Sequence, residues 1–134
     1  MNKTSIEVEF IICSEKIMPD DITLACDISP TSTGIKGQIR TNGIVPVKVS
    51  YWEINTGEEE CDDIQDQIDK IYSILKPNIK KIKKIVKDYN PDVILRIIIR
   101  VYRKITPAIV FQNKNLRLFA SLNTRIDVDV YIIS

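Results

Sequence analysis

The sequence predicts an α+β domain: a single, mostly antiparallel sheet of about four or five strands, with helices packed mainly on one face. Three observations carry this expectation. Apolar residues recur at every second position at Ile6, Val8, Phe10 and Ile12, again across 93–103, and again at Ile126, Val128, Val130 and Ile132, which is the period of half-buried strands. Between those stretches the spacing becomes helical, at Ile64, Ile68, Ile71 and Leu75 and then at Ile79, Ile82, Ile85 and Val86. The strands and helices also follow one another without a regular βαβ rhythm, so helices gathered on one side of the sheet are favoured over a doubly wound parallel sheet. A ferredoxin-like sandwich elaborated by the second helix is the closest common architecture. With 134 residues, the chain is expected to form one domain, 1–134, burying roughly two thirds of its unfolded surface.

The elements follow in order. The first strand alternates Ile6, Val8, Phe10 and Ile12 with Ser5, Glu7, Glu9 and Ile11. Pro19, Asp20 and Asp21 open a short helix reaching about Cys26, since proline fits the first turn and the aspartates complement its dipole. Residues 29–46, punctuated by Pro30, Gly34, Gly37, Gly43 and Pro46, read as one long irregular stretch. A strand over Val47–Ile54 follows, with Val47, Val49 and Tyr51 on one side and Lys48, Ser50 and Trp52 on the other. A helix is expected from Cys61 to Leu75, and Pro77 fits the first turn of the next one, which stops at Asn90-Pro91. The strand over 93–103 sets Val93, Leu95, Ile97, Ile99 and Val101 against Ile94, Arg96, Ile98, Arg100 and Tyr102. A short strand over Ala108–Phe111 is expected, then a helix capped by Asn113 with Leu116, Phe119 and Ala120 inward, ending near Asn123. The last strand sets Ile126, Val128, Val130 and Ile132 against Arg125, Asp127, Asp129, Tyr131 and Ile133.

Composition narrows the chemistry. The chain has no histidine, which excludes Ser-His-Asp and Cys-His catalysis as usually built, histidine-ligated zinc and an imidazole switch. Cys13, Cys26 and Cys61 are widely spaced, form no CxxC pair and read as reduced, largely inert thiols. Cys61 is the sharper alternative, a nucleophile at a helix start, but Glu58, Glu59, Glu60, Asp62 and Asp63 disfavour a thiolate there. The longest apolar run is broken by Arg96 and Arg100, so no membrane span is expected, and a cytoplasmic location is the default. No metal, cofactor or catalytic set is expected.

Overall charge is balanced at 19 basic against 18 acidic residues, but it is unevenly placed. Residues 53–69 hold eight acidic and no basic side chains, and residues 76–104 hold ten basic and two acidic ones. The lysines at 80, 81, 83, 84 and 87 would suit phosphates, but without aromatic or arginine interleaving a nucleic-acid role ranks last. Two candidate binding regions remain. If the last strand pairs with the 93–103 strand, Arg96 and Arg100 meet Asp127 and Asp129 across it, with Trp52, Tyr102 and Tyr131 on the same outward surface. Such pairs stabilise a sheet by ~0.2–1 kcal/mol each, and arginine, tyrosine and tryptophan are also the side chains that dominate recognition surfaces. The second region is the loop at 31–40, where Thr31, Lys36 and Arg40 form a candidate anion site without the order of a Walker loop.

The landmarks Phe10, MPDDIT at 18–23, DISPTSTGIKGQIR at 27–40, Trp52, LKP at 75–77 and IDVDVYI at 126–132 occur together along nearly the whole chain. In this it resembles the bacterial family known as domain of unknown function 4279. Asp27 stands where that family usually shows glycine. The resemblance implies a small bacterial protein of compact α/β type and brings no activity or catalytic residue with it. From the surfaces themselves the first expectation is a non-enzymatic intracellular interaction protein with a protein partner, a toxin-neutralising immunity protein being one concrete version. The alternative is a small-ligand or anion-binding domain that closes the 31–40 loop over the polar sheet face.

Overall fold

The computed structural model describes residues 3–39 and 45–133. The first strand, β1 (Ser5–Cys13), leads through α1 (Pro19–Cys26) to the short β2 (Ser32–Gly34), then β3 (Tyr51–Asn55) and the two-residue β4 (Glu59–Glu60). Helices α2 (Gln65–Leu75) and α3 (Ile79–Tyr89) are joined by a 3-10 turn at Lys76–Asn78, so proline at 77 bends one helical unit rather than ending it. Then come β5 (Asp92–Val101), α4 (Asn113–Ser121) and β6 (Thr124–Ile132).

The six strands form one open sheet in the order β2-β3-β1-β5-β6, with β4 pairing the start of β1 beyond the end of β3. β1 lies antiparallel to both β3 and β5, while β5 and β6 are parallel, so the sheet is mixed rather than mostly antiparallel and has more strands than expected. The parallel pair follows from α4, which carries the chain back to the starting end before β6 begins. The chain that leaves α1 enters β2, which lies one position from β1 and parallel to it with β3 antiparallel between them, the split βαβ arrangement of a ferredoxin-like unit; β6 extends that unit beyond β5.

One face of the sheet carries the core. Ile6, Val8, Phe10 and Ile12 of β1 face the same way as Leu95, Ile97 and Ile99 of β5 and Trp52 and Ile54 of β3. Ile22 and Cys26 of α1, Ile68 and Ile71 of α2, Ile82 and Ile85 of α3, and Leu118 and Phe119 of α4 pack onto them in a single cluster. Among the described residues the four helices all lie on this face, and none covers the other.

Several element boundaries differ from the sequence expectation. β3 begins at Tyr51 rather than Val47, because residues 47 and 37–38 are joined by their own backbone hydrogen bonds ahead of the strand. Residues 108–111 form no strand. Ala108 instead makes one bridge to Asp63, donating to the Asp62 carbonyl and accepting from the Ile64 amide, which ties this stretch to the start of α2. Helix α2 starts at Gln65, leaving Cys61 outside it. In α4 the buried side chains are Asn115, Leu118 and Phe119, while Leu116 is exposed.

Helix ends behave as their residues dictate. Asn90 closes α3 at φ 45°, and Asn123 takes φ 54° before β6. Asp27 closes α1 in a left-handed conformation at φ 61°, ψ 36°, the region in which glycine is unstrained. Arg103 and Lys104 both take positive φ in the turn after β5, where Ile105 donates to the Tyr102 carbonyl.

Candidate functional site

The face without helices is built by the alternate residues of the same strands. β1 contributes Glu7, Glu9 and Ile11, β5 contributes Ile94, Arg96, Ile98 and Arg100, β6 contributes Arg125, Asp127, Asp129 and Tyr131, and β3 contributes Tyr51, Glu53 and Asn55. Register brings one rung of four polar side chains together: Asn55 opposite Glu9, Glu9 opposite Arg96, and Arg96 opposite Asp127.

The side chains are organised by charge. Arg96 lies between Glu9, 4.0 Å away, and Asp129, 3.9 Å away. Arg100 donates to Glu7 at 3.1 Å and lies 3.5 Å from Glu58, whose carboxylate also accepts from Ser5. Asn55 donates to the second oxygen of Glu7 at 2.8 Å. Glu9 is the most perturbed group. Burial pushes its carboxyl up from 4.5 to about 8, and a hydrogen bond and like charge from Glu53 push the same way, with Arg96 opposing them. At neutral pH the raised Glu9 therefore favours its neutral form, which makes it a hydrogen-bond donor facing Glu53 in the middle of the face.

Five of the residues singled out from the sequence lie together here: Arg96, Arg100, Asp127, Asp129 and Tyr131. The cross-strand pairing holds for Arg96 and Asp129. Arg100 turns toward Glu7 and Glu58 instead of the aspartates, and Asp127 is held by Arg125 of its own strand at 3.2 Å. Tyr102 lies just past β5, half-buried, its amide donating to the Thr4 hydroxyl. Trp52 is a correction. It is fully buried on the helical face, where its indole Nε1 donates to Thr23 Oγ1 at 3.0 Å, because pairing with Ile12 fixes it on the core side of β3. In the loop, Thr31 is joined to β3, its amide donating to the Glu53 carbonyl and its hydroxyl accepting from the Asn55 amide. Lys36 is ion-paired with Glu15 at 3.0 Å, and Arg40 lies outside the described residues.

Glu7, Glu9, Glu53 and Asn55 complete the site and were not singled out from the sequence. The signal for two of them was present, since Glu7 and Glu9 occupy alternate positions of a strand with an apolar opposite row. Burial raises the thiols of Cys13, Cys26 and Cys61 above the ordinary value, which disfavours the thiolate form.

The sheet ends at β6, nine residues long and without a further strand among the described residues. Its helix-side residues Val128, Val130 and Ile132 are 40%, 52% and 70% exposed, although their neighbours Ile97, Ile99 and Val101 on β5 are buried. The helical layer therefore covers only the start of β6, where Ile126 packs against the core, and leaves the rest of the edge strand bare.

Neither the curated proteins nor the solved structures give a significant match to this chain. A family model does match, over residues 2–133, and on that near-complete coverage the chain belongs to the family described as Domain of unknown function (DUF4279).

Proposed function

We propose that this protein is a non-enzymatic recognition module that binds a protein partner through the helix-free sheet face and the adjoining β6 edge. A toxin-neutralising, immunity-type role is its most concrete form, because such a role asks only for a complementary surface on a small rigid domain. The observation that carries the reading is the edge itself. Natural sheets blunt a long edge strand, and an apolar one is a template for another chain. On β6 the open-face side carries Asp127 and Asp129, but the other side presents Val128, Val130 and Ile132 with no cover. A partner strand added there gains main-chain hydrogen bonds from β6, apolar contact on one side and the Arg96–Asp129–Tyr131 surface on the other. The surplus of carboxylates on this face suits a basic partner. The anion reading of the 31–40 loop has less support, since the groups of Thr31 and Lys36 are already engaged.

The test is affinity capture from the native bacterium with the wild-type chain and with Val130→Lys and Ile132→Lys, exposed changes that place a charge on the edge. The expected result is a discrete stoichiometric partner retained by the wild type and lost from both variants. Absence of any such partner, or equal retention by all three, overturns the reading.

A further inference from the structure

We propose that the cleft between α2, α3 and α4, on the opposite side of the molecule from the open sheet face, binds a small anion carrying adjacent phosphoryl groups. Four cationic side chains converge on a space of about 270 Å³: Lys76 from the 3-10 turn, Lys83 from α3, and Lys114 and Arg117 from α4, with Tyr72 and Ser121 completing its polar lining. No carboxylate lines it.

Elsewhere in the helical layer, three lysines have acidic partners, while Lys80 and Lys87 stand singly on α3 rather than converging with other cations. Lys70 pairs with Glu59, Lys84 with Asp88 at 2.8 Å, and Lys81 with Asp27 at 4.0 Å. In the cleft only Lys114 does, lying 3.6 Å from Asp69 and 5.0 Å above the Tyr72 ring. Among the described residues Lys76, Lys83 and Arg117 form no ion pair. Only Lys76, which caps α2, sits where the negative end of a helix accounts for a cation. The other three are brought together from two helices by packing, and Asp69 offsets only the charge of Lys114, leaving Lys83 and Arg117 without an ion pair among the described residues.

The ligand class follows from charge and size. A single carboxylate neutralises one of four cations, whereas linked phosphoryl groups bring several negative charges and tetrahedral sets of acceptors. A guanidinium fork and mobile ammonium groups are the donors that such oxygens match. The volume lies just below the ~300 Å³ at which sites for drug-sized ligands begin. It therefore holds a pyrophosphate group, and a nucleoside attached to it would lie outside. A concave wall of one sign also concentrates an anion near the surface in a salt-dependent way.

Isothermal titration with inorganic pyrophosphate, at roughly physiological ionic strength, tests the site. The expected dissociation constant is below about 1 mM, weakened at least about tenfold in Lys83→Glu and in Arg117→Glu, with Lys104→Glu, outside the cleft, unchanged. ADP in a second arm separates the sources: equal affinity means that the diphosphate alone is recognised, tighter binding that a nucleotide is, and either supports the site. Circular dichroism melts confirm folding, and Lys83→Met and Arg117→Gln replace any charge reversal that fails to fold. The proposal is overturned if pyrophosphate does not bind or binds no better than sulfate. It is also overturned if the cleft variants bind like wild type, or if an oligonucleotide binds more tightly than pyrophosphate through the same residues.

Discussion

Replacing Glu9 by glutamine is expected to stabilise the fold at neutral and alkaline pH while changing little near pH ~4. In the folded protein the Glu9 carboxyl titrates near 8 instead of 4.5, first because it is buried and then because Glu53 faces it. The folded state therefore holds a proton that the unfolded chain has released. The corresponding stability is fully present below about 4.5 and is lost as pH rises to about 8, at about 1.4 kcal/mol per pH unit. Over that interval the ceiling is about 5 kcal/mol. The side chain keeps 13% exposure and has Arg96 within 4.0 Å, so an ionised Glu9 gains some relief from water and from the guanidinium. The realised loss is then roughly 2–3 kcal/mol. Glutamine has no proton to lose, and its amide still donates to Glu53, so Glu9→Gln removes this slope. Urea denaturation of wild type, Glu9→Gln and Glu53→Gln from about pH 5 to about pH 8 measures it directly. The expected result is a wild-type stability that falls across the range and two flatter variant curves. Parallel curves for wild type and Glu9→Gln refute a raised Glu9 carboxyl in the folded protein.

Other consequences are equally open to measurement. Trp52→Phe leaves a void in the core and removes the bond to Thr23, and chemical denaturation should register a loss of about 1–3 kcal/mol. Gly34→Ala sets a methyl group against the Tyr51 ring, so melting should show destabilisation of about 1–3 kcal/mol, partly recovered by adding Tyr51→Ser. Asp27→Gly and Lys104→Gly each relieve a positive φ and should each add about 0.5–1 kcal/mol in the same assay; a drop in melting temperature for both contradicts the strain argument.

Where one strand's own alternation decides the outcome, the sequence is sufficient. The two faces of β1, β5 and β6 follow from period-two patterning, and Arg96, Arg100, Asp127, Asp129 and Tyr131 follow with them. Trp52 shows where this stops. Alternation correctly separates it from Tyr51, but which of the two faces the helices depends on β3 pairing Trp52 with Ile12, a register set by residues 40 positions away. The Glu9–Glu53 contact rests on the same register. The cationic cleft depends on the rotation of α4, where Leu118 and Phe119 turn inward with the polar Asn115 while Leu116 faces solvent. Apolar spacing over nine residues does not distinguish those rotations when leucines stand at 116, 118 and 122. The direction of β6 was readable in principle, since an intervening helix returns a strand to the same end of its neighbour.

The central pairing of the sheet joins Ser5 to Arg100 and Cys13 to Asp92, the first strand to one that emerges far later in synthesis. On a ribosome, Ile6, Val8, Phe10 and Ile12 thus remain without their principal neighbour until most of the chain has been translated. β3 can pair with β1 earlier, but closing the larger loop to β5 is the kind of long-range step that slows topology-limited folding. The nascent chain in that interval is a natural client for chaperones, and its vulnerable segment is the same apolar row that later anchors the core.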